Sequence, residues 1–169
     1  MITKATLEDV EALNTLVHSA YRGESSKKGW TSEADLLGGV RTTEKSLLET
    51  MQTPKTTMFK YSEGGEILGC VTYVENEKAL YLGMLTVSPD IQGGGIGKKL
   101  LLYADIFAKE NNLPKIEMTV ISVRLELIAW YERHGYVKTG ETKPFPMNDP
   151  NFGEPKQFLE FIVMEKVVN

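Results

Sequence analysis

The stretch VSPDIQGGGIGKKLLLYA, Val87 to Ala104, constrains this chain more than any other. Gly93, Gly94 and Gly95 stand in a row, Gly97 follows, and leucines at helical spacing come at once. Glycine loses more backbone entropy on ordering than any other residue, so such a run needs a reason. A plain flexible turn is one reading. The other is an anion site. Glycine reaches positive φ and lacks the Cβ that would keep a ligand off the backbone. The helix behind it points unpaired N–H groups and its positive dipole end at the same spot. Successive N–H groups also form a nest for a phosphate oxygen. Two common phosphate motifs fail on detail. A Walker A loop needs glycine where Gln92 stands, and Ser or Thr where Lys99 stands. The pattern G-x-G-x-x-G runs into Lys98 from Gly93 and into Leu100 from Gly95.

The rest of the chain supplies the frame for that loop. MITKAT predicts a short first strand. Thr6 is placed to cap a helix through LEDVEALNTLVHSAY, where Leu7, Val10, Leu13, Leu16, Val17 and Ala20 fall three or four apart. RGESSKKGW is a polar break. TSEADLLGGV and TTEKSLLETM predict two short helices, the second starting near Thr43. From Thr56 the period becomes that of strands, with a hairpin around Glu63-Gly64-Gly65. KALYLGMLTV is apolar on both faces, which suits a central strand. A helix to about Lys109, a strand KIEMTVI and a helix SVRLELIAWYERH ending at Gly135 follow. GYVKTG reads as a strand, ETKPFPMNDPNFGEPK as a long loop and QFLEFIVMEKV as the closing strand. This order predicts an α/β (α+β) fold, a mixed sheet with helices on its faces. A length of 169 residues, 41% of them hydrophobic, suits one domain over 1–169. The single cysteine, Cys70, reads as a buried strand residue.

One pattern does fit the glycines: Q/R-x-x-G-x-G/A, present as Gln92-Gly93-Gly94-Gly95-Ile96-Gly97. With the strand ending TVSP before it and the amphipathic helix after it, MLTVSPDIQGGGIGKKLL resembles the acetyl-CoA signature of the GNAT superfamily of N-acetyltransferases. RLELIAWYERHGY is similar to the family's later helix, which ends in Tyr-x-x-x-Gly-Phe/Tyr. The likeness spans essentially the whole chain and is strongest from Leu80 to Val137. It implies a mostly antiparallel sheet of about seven strands flanked by about four helices, with acetyl-CoA as co-substrate. The resemblance puts the pyrophosphate on backbone N–H groups of Gln92, Gly93, Gly94, Gly95, Ile96, Gly97 and Lys98. It puts the pantetheine arm along Leu85, Thr86 and Val87, in an open ladder position between LGMLTV and KIEMTVI. Gly83 either marks a bulge that splays this strand or relieves packing. Lys98 and Lys99 either add charge to the loop or remain solvated helix residues.

The reaction so implied is direct attack of a primary amine on a thioester within a ternary complex. The resemblance assigns a backbone N–H near Leu85 to Val87 to the carbonyl oxygen, where charge develops. It assigns Tyr131, by its place before Gly135, to protonating the leaving thiolate. Tyr131 also reads as a packing residue beside Leu127 and Ile128. The family often has Asn seven positions earlier, where this chain has Arg124. That arginine shares a helix face with Tyr131 and either reaches the cofactor or forms an ion pair with Glu126 or a neighbour. Ser122 either caps this helix or touches the cofactor. Some members use a strand glutamate as base, and its position here holds Tyr81, so the base stays unassigned. Glu33, Asp149 or a water chain are the alternatives, while Glu75 and Glu77 read as turn charges. The acceptor, a small-molecule or peptide amine, is expected between the early helices and the late loop. Trp30 and Glu33 suit a cationic amine, or else serve as a buried anchor and a helix-start charge. Arg41 instead suits a substrate carboxylate. Phe145, Met147, Asp149 and Phe152 lie on a loop long enough to act as a lid. A CoA-binding regulatory module without turnover, and a transferase of longer acyl groups, are the alternative readings.

Other classes find little support. A formal net charge of −4 argues against a nucleic-acid backbone as partner. No apolar run approaches the roughly 20 residues of a membrane span, and MITKATLEDV has no basic n-region. A cytoplasmic protein without a membrane partner is therefore expected. His18 and His134 have no Cys or His at ligand spacing, so no metal is expected. No G-x-S-x-G elbow points to hydrolase chemistry. A homodimer is common in the family, and the sequence does not decide it.

Overall fold

The apolar stripe near the start and the change of period at Thr56 are both realised. The computed structural model describes residues 1–22, 26–27, 32–91 and 93–168. β1 (Ile2–Lys4) leads into a 3-10 turn, Leu7–Asp9, and then α1 (Val10–Tyr21). The first turn after Thr6 is thus 3-10 rather than α. The Asp9 carboxylate accepts from the Thr6 N–H at 2.8 Å and closes it. α1 buries Val10, Leu13, Leu16, Val17 and Ala20, as the spacing predicts, while Leu7 is exposed.

TSEADLLGGV does not form the expected helix. Its described residues make a turn and then β2 (Leu37–Gly38), which pairs antiparallel with β8 (Glu154–Pro155). Gly39, at φ +71°, takes a conformation that ends helical continuation. Leu37 is then buried against Ile121, Phe145 and Leu159. α2 (Glu44–Gln52) begins where predicted. Thr43 Oγ1 accepts from the Ser46 N–H at 3.1 Å, satisfying an otherwise orphaned donor.

β3 (Thr56–Glu63), β4 (Glu66–Glu75) and β5 (Leu80–Val87) form the meander. Gly64 and Gly65 both have positive φ, +57° and +81°, which supplies the twist of a tight hairpin turn. α3 (Ile96–Glu110), β6 (Lys115–Ile121), α4 (Leu125–Arg133), β7 (Val137–Pro144) and β9 (Glu160–Val167) complete the main elements. β7 runs further than expected, into the proline-rich stretch. That stretch also holds a 3-10 turn, Pro150–Phe152, as well as β8.

The seven-stranded sheet has the order β1-β3-β4-β5-β6-β9-β7. Among the described residues, only β5 and β6 pair in parallel. Helices α1, α2, α3 and α4 flank it among the described residues, so the fold is the mixed, mostly antiparallel one expected. One core layer joins α1 and α2 to Met58 and Cys70. The other joins α3 and α4 to Val71, Tyr73, Leu80 and Leu82. Cys70 is fully buried, and that burial pushes its thiol up to about 11.

Two features of β5 prepare a site. Its parallel pairing with β6 stops after Leu80↔Ile116 and Tyr81↔Glu117, so the strands part beyond that point. On its other side the register with β4 slips by one residue between Thr72↔Gly83 and Cys70↔Thr86. Met84 sits in this bulge at φ +51°. The bulge expected at Gly83 is therefore one residue later, with Gly83 still paired to Thr72.

Candidate active site

Where β5 and β6 part, a cavity of about 580 Å³ opens. Leu82, Gly83, Met84 and Leu85 form one wall, and Met118, Thr119, Val120 and Ile121 form the facing one. Tyr21 closes it from α1, Leu127 and Tyr131 from α4, and Phe145, Phe152 and Phe161 from the late segments. The early segment and the late loop thus both reach the strand opening.

Tyr131 is buried, and burial raises its hydroxyl above the ordinary phenol range. A neighbouring charge on Tyr21 would push it the same way, while Arg124 opposes. Its ring meets Trp130 and Tyr136 edge-on at 5.2 and 5.8 Å, which fixes its direction. Tyr131 therefore both packs in the core and lines the cavity. Tyr21 lies beside it and its hydroxyl donates to the Leu85 carbonyl. Tyr81 also lines the cavity, and its hydroxyl lies 2.8 Å from Thr119 Oγ1 across the diverging strands.

A charged clasp lines the cavity. Glu33 is buried and its carboxylate accepts from Arg22, whose side chain is 2% exposed. Its second oxygen faces Arg124 Nη1 at 3.5 Å. Arg124 thus pairs with Glu33 rather than Glu126, and its side chain lines the cavity. Glu33 is therefore already held by two guanidiniums, which removes it as a ready partner for a cationic amine. Trp30 lies outside the described residues. Arg41 also lines the cavity, its guanidinium 5.3 Å from the Tyr21 ring centroid. Asp149 caps the 3-10 turn, accepting from the Asn151 N–H at 3.0 Å.

The glycine loop lies apart from the cavity lining. Gly93, Gly94 and Gly95 are exposed. Gly93 and Gly95 have φ of +97° and +79°, and Gly95 is the N-cap of the 15-residue α3. A Cβ at either would meet nothing within 4 Å, so this bare edge is open to a ligand. Gln92 lies outside the described residues. Ile96 and Gly97 are buried at the helix start. Lys98 is exposed beside the loop. Lys99 instead reaches Tyr61, its Nζ 3.3 Å from the hydroxyl. Thr86 and Val87 are buried on the strand leading to the loop, and Thr86 Oγ1 donates to the Met84 carbonyl. Ser122 does not cap α4: the N-cap is Arg124, and the Ser122 N–H is tied to the Glu160 carbonyl at 2.9 Å.

Tyr21 and Arg22 are the residues that sequence reading missed. Tyr21 extends the α1 stripe by one place and reads as core. Arg22 opens a polar break, and nothing local marks it as buried.

Among the described residues no group of His, Cys, Asp or Glu could hold a metal ion, and no helix is long and apolar enough to cross a membrane.

Comparison with known proteins gives this geometry its relatives. The acetyltransferase (GNAT) domain matches residues 35–145. A Bacillus subtilis (strain 168) relative, the uncharacterized protein YdhI, is 31% identical over 75 residues, which are 44% of this chain and 46% of that protein. The chain thus aligns with just under half the length of that relative. Among solved structures, the ribosomal-protein-S18-alanine N-acetyltransferase from Escherichia coli superposes with a TM-score of 0.73 at 15% identity. That match covers 100% of this chain and 94% of that one. A Bacillus anthracis str. Ames protein solved in complex with acetyl coenzyme A matches with a TM-score of 0.59 at 21% identity. It covers 71% of this chain and 66% of that one. The matched domain runs through the parted strands, the glycine loop and the helix of Tyr131 alike, and on that ground the chain belongs to the GNAT acetyltransferases.

Proposed function

We propose that this chain transfers an acetyl group from acetyl-CoA to a primary amine of a small molecule or peptide, by direct attack within a ternary complex. The observation that carries the reading is the parting of β5 and β6 beside a bulge, with a buried tyrosine at the opening and a bare helix start beyond it. The residues present fit the co-substrate. Exposed glycines at positive φ leave N–H groups of the α3 start open to a pyrophosphate. The strand gap leaves backbone of Leu85 to Val87 free of a β6 partner for an amide-bearing arm. Bound there, acetyl-CoA supplies the activated acyl thioester.

This chain's own groups do the rest. A bulge leaves an extra residue without its ladder partner, so an N–H at Met84–Leu85 can stabilise charge on the carbonyl oxygen. The Tyr21 hydroxyl donates to the Leu85 carbonyl and holds the bulge in shape. Tyr131 keeps its proton at neutral pH and delivers it to the departing sulfur. The aromatic side chains of Phe145, Phe152 and Phe161 limit water around the reacting groups.

Release of free thiol from acetyl-CoA across a panel of amines, amino acids and short peptides tests the reading. Acceptor-dependent release is expected. Tight CoA binding without turnover on any acceptor would replace it with a regulatory module that only binds.

A further inference from the structure

The charges lining the cavity narrow the acceptor class, given that acetyl transfer occurs there as proposed. Among the described residues, three guanidiniums, Arg22, Arg41 and Arg124, line it, with Glu33 as the one carboxylate. That carboxylate is already committed to Arg22 and Arg124. Arg41 has no acidic partner among the described residues and rests on the face of Tyr21. Arg22 is buried, yet among the described residues its Nε and Nη2 have no hydrogen-bond partner. Unpaired positive charge in a partly dry site is costly, and an anionic occupant relieves that cost. A second cation raises it.

We infer that the acceptor carries a carboxylate beside its amine, as an amino acid or a short peptide with a free C-terminus does, and that Arg41 receives this carboxylate. Tyr21 sets the spacing. Its hydroxyl is bonded to the Leu85 carbonyl, where the thioester is proposed to lie, and its ring carries the Arg41 guanidinium. A carboxylate on Arg41 is therefore about one tyrosine side chain from the reacting end of the cavity. A planar guanidinium matches a carboxylate in two-point fashion, which an ammonium does not. The same charge excess disfavours polyamines, which bring only cations.

Matched acceptors decide this. Steady-state kcat/KM is compared for amino acids, their C-terminal amides and the corresponding decarboxylated amines, with wild type, Arg41→Gln and Arg41→Lys. The free carboxylates are expected to exceed their amides by about tenfold or more, mainly through KM. Arg41→Gln should collapse that ratio, and Arg41→Lys should restore part of it. Amides or decarboxylated amines used as well as the acids would overturn the inference, as would an unchanged ratio in Arg41→Gln. A second measurement does not depend on turnover. Calorimetry on the CoA-saturated protein compares an N-acetyl amino acid with its amide. Stronger binding of the acid, lost in Arg41→Gln, upholds the carboxylate site even if no acceptor is turned over; equal binding sinks it.

Discussion

A phenol serves as an acid only while it holds its proton, and under the proposed mechanism the setting of Tyr131 secures that. Burial lifts its pKa above the usual value of 10.0, so the protonated form persists through neutral and mildly alkaline pH. The aromatic contacts with Trp130 and Tyr136 aim the ring, so the hydroxyl needs little reorganisation to act. Tyr131→Phe keeps the ring and removes the proton. It should lower kcat for thiol release by roughly 10²–10⁴, the usual worth of a positioned acid, with little change in KM for acetyl-CoA. The wild-type rate should show no alkaline fall below about pH 9 that the variant lacks, since Tyr131 is still protonated there. A variant as fast as wild type at every pH would leave Tyr131 with its packing role alone.

At the scale of elements, the site depends on how closely α3 lies against β4. Gly69 sits beneath the first turns of that helix. A Cβ there would come within 2.9 Å of Ile96 Cγ2 and 3.0 Å of the Thr86 carbonyl. Gly69→Ala must therefore push the helix start, and the glycine loop with it, off the sheet. We expect a loss of about 1–3 kcal/mol in chemical denaturation and a raised KM for acetyl-CoA. The variant is expected to keep its helical content, because only the docking is disturbed. Much of this arrangement is legible in the sequence. The loop, the helix after it, the hairpin at Gly64-Gly65 and the helix of Tyr131 all follow from local chemistry. The bulge is legible only in hindsight. Leu80 and Leu82 face α3, and after one extra residue Leu85 and Val87 do so too. That phase slip reads, without coordinates, as a strand apolar on both faces. The turn at 34–36 and β2 were not legible, because Leu37 gains its partner from β8, more than a hundred residues away. The clasp was hidden for the same reason: Glu33 and Arg124 are 91 residues apart.

Across the whole molecule, that clasp ties the end of α1 to the segment before β2 and to the start of α4. Glu33→Gln would remove the carboxylate that pairs with the buried Arg22 and with Arg124. A loss of about 3–5 kcal/mol in urea denaturation is expected, more than a surface ion pair could account for. A second global property follows from the tyrosines. Tyr21, Tyr73, Tyr131 and Tyr136 all have hydroxyls raised above 10.0, chiefly by burial. In the unfolded chain these groups ionise near that usual value. In the folded chain they do not, so the folded state holds more protons once pH passes it. The linkage sign is then negative: stability rises with pH only where the unfolded state binds more protons, and here it binds fewer. The stability linked to these four groups is fully present below about pH 10 and is lost as pH climbs above it. Urea midpoints should fall steeply in that range, and phenolate absorbance should appear together with loss of helical signal. A folded protein in which these four tyrosines titrate near 10 before any unfolding would contradict this account of the core.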